Sequence, residues 1–411
     1  MRADLPYPAS FPSKSEEQFI KLVLSPDAEF TERWAAWRES IVFDDIDFAT
    51  LRLLPVLYLR LSKLGLEDDE VTGRIRGVYK LAWFRNQRLF EKARKVVALC
   101  HEEGIPILLL KGLALLSTVY RNPGARFSED ADLLVHEQDV PKVFSLLHRH
   151  GWRHMHLAAV SATGEFREQD AKAMHAAALS DGGDITVDLH WHAFHVEIDH
   201  DALRMLCLRD PRPGPRLDES HWRNSVAAEL KGLPVRVLSI EDMLLHVIVH
   251  GAGWNVHRPL RWVVDAAQII DTGRIDWNRF VELVGETEYK IHAYLALRYL
   301  RERIALEIPA VPYEAIKNMP TNRWQRRKYY RISDGRIRFL GHFPKYWYLY
   351  WKHESNGNFV SRCKKFPSYM RDRWEIKNNE DIVWYIFGKY KKILRDLLSV
   401  GKKSTPPHSS R

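Results

Sequence analysis

The chain has 411 residues, of which 45% are apolar and 11% aromatic, and a net charge of +9. That length and apolar content support two or three domains with a sizeable core and exclude wholesale disorder, while the charge favours anionic partners such as nucleotides, nucleic acid or acidic lipid; a mildly basic soluble protein is the plain alternative. Cys100, Cys207 and Cys363 are far apart and form no Cys-x-x-Cys pair, which argues against a disulfide partner or a thiolate metal site and fits a reducing compartment.

Residues 1–15 contain Pro and Ser and lack the apolar core of a signal peptide. No run reaches the roughly 20 apolar residues of a membrane span, so a cytoplasmic protein is expected. Residues 16–66 read as helical, interrupted at Pro26 and Pro55. Val71, Ile75, Val78, Leu81, Phe84 and Leu89 recur at helical spacing and predict one long helix over 70–103, stopped by Gly104. The run IPILLL at 105–110 predicts a buried strand. A helix over Leu113–Arg121, a strand over Ala131–Val135, a helix over Asp139–His150 and a strand over Trp152–Leu157 follow. Segments 172–179 and 185–193 read as a hairpin about the turn Ser180-Asp181-Gly182-Gly183-Asp184.

Pro211–Pro215 is a linker or surface loop, and from Ser239 the pattern is helical again, over 240–250, 260–271 and 276–305. Beyond about 320 the chain is rich in Lys, Arg, Trp and Tyr, and it ends in a polar tail. The expected fold class is α/β (α+β): a small mixed-sheet domain at 104–210, an N-terminal helical region at 1–103, a helical domain closing the cleft at 211–320, and a basic aromatic-rich region at 321–411.

The stretch RFSEDADLLV, 126–135, carries three carboxylates, Glu129, Asp130 and Asp132, at the mouth of a buried strand. Strand alternation places Asp130 and Asp132 on one face. In ITVDLHWHAF, 185–194, the same alternation puts Asp188, His190 and His192 on one face and Val187, Leu189 and Trp191 on the other. Carboxylates so close repel unless a cation lies between them, and Mg²⁺ or Mn²⁺ suits oxygen donors. A solvated turn before a strand is the plain alternative. Lys111-Gly112 follows the apolar run at the start of a helix; Gly allows close backbone approach, and Lys111 and Arg126 supply positive charge for a triphosphate.

As a set, Leu110-Lys111-Gly112, Tyr120, Arg126, the run Asp130–Val135 and Asp188-Leu189-His190-Trp191, with His250-Gly251 and Arg261–Asp265 downstream, resemble the uncharacterised nucleotidyltransferase family of the DNA polymerase beta-like superfamily, over roughly 70–300. The resemblance implies Asp130, Asp132 and Asp188 as catalytic and metal-ligating residues for Mg²⁺ or Mn²⁺. It implies Lys111, Gly112 and Arg126 as contacts to a nucleoside triphosphate, ATP before the others. The wider superfamily has Gly-Ser at the nucleotide turn, where this chain has Lys-Gly followed by Leu113; Ser128 is the substitute on offer. Ala131 also stands where Ile is usual. The implied reaction moves an NMP from the NTP to a hydroxyl acceptor and releases pyrophosphate, and the acceptor is open among small molecules, sugars, peptides, proteins and RNA. Nucleotide binding without turnover is the alternative.

His246, His250 and His257 have part of a zinc-protease spacing, but Val247 replaces its Glu, so packing near the cleft is expected instead. His190, His192, His250 and Arg261 are candidates for acceptor or cleft contacts. Arg261 and Asp265 are an i, i+4 pair that would stabilise a helix; Arg258 and Arg261 facing phosphates is the alternative. KYWYLYWK (345–352) and WYIFGKYKK (384–392) interleave aromatic and basic residues. That pattern suits nucleic acid or an anionic membrane surface, with a helical core edge as the plain alternative.

Overall fold

The first helix, Lys14–Leu24, is set by its cap: the Ser13 hydroxyl accepts the Glu16 N–H, and the Glu16 carboxylate accepts the Ser13 N–H at 2.6 Å. In this computed structural model the described residues run from 5 to 322, apart from 9–10, 68, 156–157, 167–174, 195–214 and 254–259, with residues 325, 326, 329, 359–373 and 378 beyond them. The chain forms two compact units, Met1–Glu197 with Pro211–Gly335, and Ile198–Asp210 with Arg336–Arg411. In the second unit the helix Phe359–Arg373 is described. Cys207, His257, Arg258 and the stretches 345–352 and 384–392 lie outside the described residues. No helix among the described residues is long and apolar enough to cross a membrane.

Pro55 opens a helix, Leu54–Lys63, from within its first turn, where the missing N–H is harmless. The long helix Glu70–Glu102 forms as its periodicity predicts and ends before Gly104, whose φ is +68°. Its buried stripe runs through Ile75, Ala82, Asn86, Leu89 and Ala93, whereas Leu81 and Phe84 are 55% and 58% exposed. Buried Asn86 donates its amide to the carbonyls of Pro123 and Arg126, 2.6 Å each, and so fixes the loop leading to the acidic strand.

The sheet is mixed and seven-stranded: β1 (Leu108–Leu109), β2 (Asp130–Leu134), β3 (Arg153–His154), β4 (Ala176–Ser180), β5 (Thr186–His190), β6 (Val226–Leu230) and β7 (Leu233–Val237), in the order β3-β4-β5-β2-β1-β7-β6. The IPILLL run contracts to a two-residue strand because the chain turns at Lys111 into the helix Lys111–Leu115, which widens into a π-helical turn at Leu116–Tyr120. β4 and β5 form the predicted antiparallel hairpin. β6 and β7 form a second antiparallel hairpin, with Pro234 inside β7, where Pro is uncommon. Its turn, Lys231-Gly232, has φ of 48° and 83°, the double left-handed geometry of a tight hairpin. β7 pairs in parallel with β1, so the sheet draws on residues beyond 210. The stretch 276–305 divides into two helices, Trp277–Glu286 and Lys290–Glu302.

Candidate functional site

Side-by-side parallel pairing of β2 and β5 builds the centre of the site. The register sets Asp132 opposite Asp188 and Leu134 opposite His190. Asp130, two residues before Asp132, projects from the same face. Asp132, Asp188 and His190 bring ligand atoms within 4.8 Å of one another. Asp132 is only 1% exposed. Its Oδ1 accepts the Lys111 ammonium at 2.5 Å and His190 Nε2 at 3.0 Å. Lys111 reaches it from a left-handed backbone, φ 42°, a conformation that costs a residue with a side chain about 1 kcal/mol.

These neighbours sort the protonation states. Burial pushes the Asp132 carboxyl up, but Lys111 and His190 more than reverse this and hold it well below the usual range. Burial, then the charges of Asp132 and Asp130, raises Asp188 to about 6. Asp130 is raised by burial and by Asp132. Among the described residues no basic side chain forms an ion pair with Asp130 or Asp188. One ammonium therefore faces three carboxylates. The donor set of clustered carboxylate oxygens with one imidazole fits an oxygen-preferring divalent cation such as Mg²⁺ or Mn²⁺.

The carboxylates open onto a cavity of about 1090 Å³. Its lining also includes Phe48 and Arg52 from the N-terminal helices and His246, His250 and Arg261 from the later ones. That volume accommodates a nucleotide. His246 donates Nε2–H to the Ala193 carbonyl at 2.9 Å, and burial with the Lys111 charge lowers it to about 3. His246 packs in the cleft wall as a neutral ring, whereas His250 is exposed at the cavity.

Several residues take other positions than the spacing suggested. Arg126 is buried, and all three of its guanidinium nitrogens are engaged within the wall: Nε and Nη2 donate to the two Asp265 oxygens at 2.9 and 3.0 Å, and Nη1 to Ser128 Oγ at 3.0 Å. The Tyr120 hydroxyl donates to Asp265 at 2.7 Å. Arg126 and Ser128, read as triphosphate contacts, thus spend their polar groups on each other and on Asp265. Arg261 does not pair with Asp265 along its helix; it donates to the Phe127 carbonyl at 2.7 Å. Burial and the charges of Arg126 and Arg52 lower its guanidinium to about 9. β5 ends at His190, so His192 leaves the carboxylate face and donates to Asp218 at 2.6 Å. His190, expected at the edge of the core or on substrate, joins the carboxylates.

Gly112 has a second reason to lack a side chain. A Cβ there would meet Ser128 Oγ at 2.4 Å and Arg126 Nη1 at 2.8 Å. The latter is locked by Asp265. Gly112→Ala should lower stability by about 1–3 kcal/mol. Urea unfolding checks this, and an unchanged midpoint would mean that the two side chains yield freely.

The pattern missed Phe48 and Arg52, which come from a region with no motif. Arg52 donates to Glu129 at 3.0 Å, directly beside Asp130. A comparison with curated proteins gives no match. The family model described as an uncharacterised nucleotidyltransferase matches residues 48–305, which include the sheet, the carboxylates and Asp265. With more than half of its length matched, the chain belongs to the uncharacterised nucleotidyltransferase family.

Proposed function

We propose that the protein is a metal-dependent nucleotidyltransferase that moves an NMP from an NTP, ATP first among them, to a hydroxyl acceptor and releases pyrophosphate. The observation that carries this reading is the β2–β5 register, which sets Asp132 opposite Asp188 beside Asp130 and Lys111. Asp130, Asp132 and Asp188 would hold Mg²⁺ or Mn²⁺. When bound, the cation supplies charge neutralisation for the phosphates and the leaving pyrophosphate. Lys111 binds phosphate oxygens, and Arg52 and Arg261, held on the segment before the acidic strand, add charge. Asp188, with its carboxyl near 6, accepts the proton of the acceptor hydroxyl. The hydroxyl oxygen bonds to the α-phosphorus as the bond to pyrophosphate breaks. The chain contributes mostly positioning and charge.

A second reading, nucleotide binding without turnover, draws on the Lys111–Asp132 pair, which already neutralises one carboxylate. Pyrophosphate release separates the two. Purified protein is given each NTP with Mg²⁺ or Mn²⁺ and a cell extract as the acceptor pool. Release by the wild type and none by Asp130→Asn/Asp132→Asn is the expected result. Nucleotide binding with no release from any NTP favours the second reading.

A further inference from the structure

Phe48 is a large apolar residue left open in a charged cavity. The residue is 58% exposed and lines the same cavity as Asp130, Asp132 and Asp188. The position is held. Asp47 caps the short helix Phe48–Leu51, accepting the N–H groups of Ala49 and Thr50 at 2.8 and 3.0 Å. One turn on, the Arg52 guanidinium lies 5.2 Å from the Phe48 ring centroid. The same guanidinium bonds Glu129, the residue before Asp130, so the ring is anchored next to the acidic strand.

An exposed aromatic side chain with a guanidinium over one face leaves its other face as a stacking surface, and every nucleobase offers that face a flat π-system. We propose that Phe48 is the nucleobase platform of the site, with Arg52 beside it directed to the ribose or phosphate oxygens. This rests on the nucleotidyltransferase reading. It adds that the N-terminal helices, and not only the sheet domain, bind the nucleotide. Stacking reads a face and no base edge, so purine nucleotides gain alike from it.

Equilibrium binding of ATP, GTP and inorganic tripolyphosphate, each with Mg²⁺, tests this on the full chain. Phe48→Ala should weaken ATP and GTP about tenfold, the scale of one base stacked on an aromatic ring. Tripolyphosphate binding should not change. Phe48→Trp should restore nucleotide affinity. The exposed ring makes little difference to folding, and an unchanged melting temperature confirms that the Ala variant is intact. Wild-type ATP affinity in the Ala variant overturns the proposal, as does an equal loss of ATP and tripolyphosphate. Wild-type protein that binds tripolyphosphate as tightly as ATP overturns the platform alone. Wild-type protein that binds neither overturns the platform and the nucleotidyltransferase reading together.

Discussion

Asp188→Asn should make the protein more stable at pH 7 and stop pyrophosphate release. Burial and the charges of Asp132 and Asp130 lift the Asp188 carboxyl to about 6, above its ordinary 3.8. The folded state therefore favours the protonated form. Its stabilising contribution is complete below the unfolded value and is lost as pH climbs through about 6. At pH 7 the wild type carries a buried charge repelled by two neighbours, and Asn removes it. The difference between the two values corresponds to a gain of about 1–3 kcal/mol in metal-free buffer. Melting curves from pH 4 to 8 should show the variant and the wild type diverging as pH rises. On the proposed mechanism catalysis should fall on the order of a thousandfold, since that mechanism uses Asp188 both as a metal ligand and as the proton acceptor. A variant less stable than the wild type at pH 7 would mean that Asp188 has a favourable partner after all.

Asp265→Ala should be the most damaging change to the fold among the cavity residues. It strands the Arg126 guanidinium in a buried wall and leaves the Tyr120 hydroxyl without its acceptor. Breaking one side of such a pair costs about 3–5 kcal/mol. Replacing both partners, as in Arg126→Met/Asp265→Leu, should recover most of that loss, because no uncompensated charge remains. Urea unfolding of the two single variants and the double gives the coupling directly. Additive losses would show that the pair contributes nothing as a pair.

Local pattern made the centre of the site legible. Alternation in DADLL and TVDLH marked two strands with carboxylates on one face, and the structure pairs those strands. The hairpin β4–β5 was readable from its Gly-Gly turn, and the long helix from its periodicity. Other features depend on partners remote in the chain. Arg126 looked free for a phosphate because its carboxylate lies 139 residues away. His192 looked like a site residue because alternation alone does not say that β5 stops at His190. The hairpin β6–β7 has Pro234 in β7 opposite Glu229, where a strand is harder to read. Phe48 carried no signal, since a single aromatic at the start of a helix is most often core.

The strand order also governs when the site comes into being. β1 pairs with β7 through Leu108 and Arg236, and β2 with β5, so the central strands meet partners translated long after them. Lys111 and Asp132 are only 21 residues apart in the chain. Asp188 arrives only after β3 and β4, and Asp265 later still. Distant pairings of this kind close slowly. A nascent chain that stops short of Asp265 carries a guanidinium destined for burial with no counter-charge. Folding of the unit around the cavity should therefore wait until Asp265 has been synthesised.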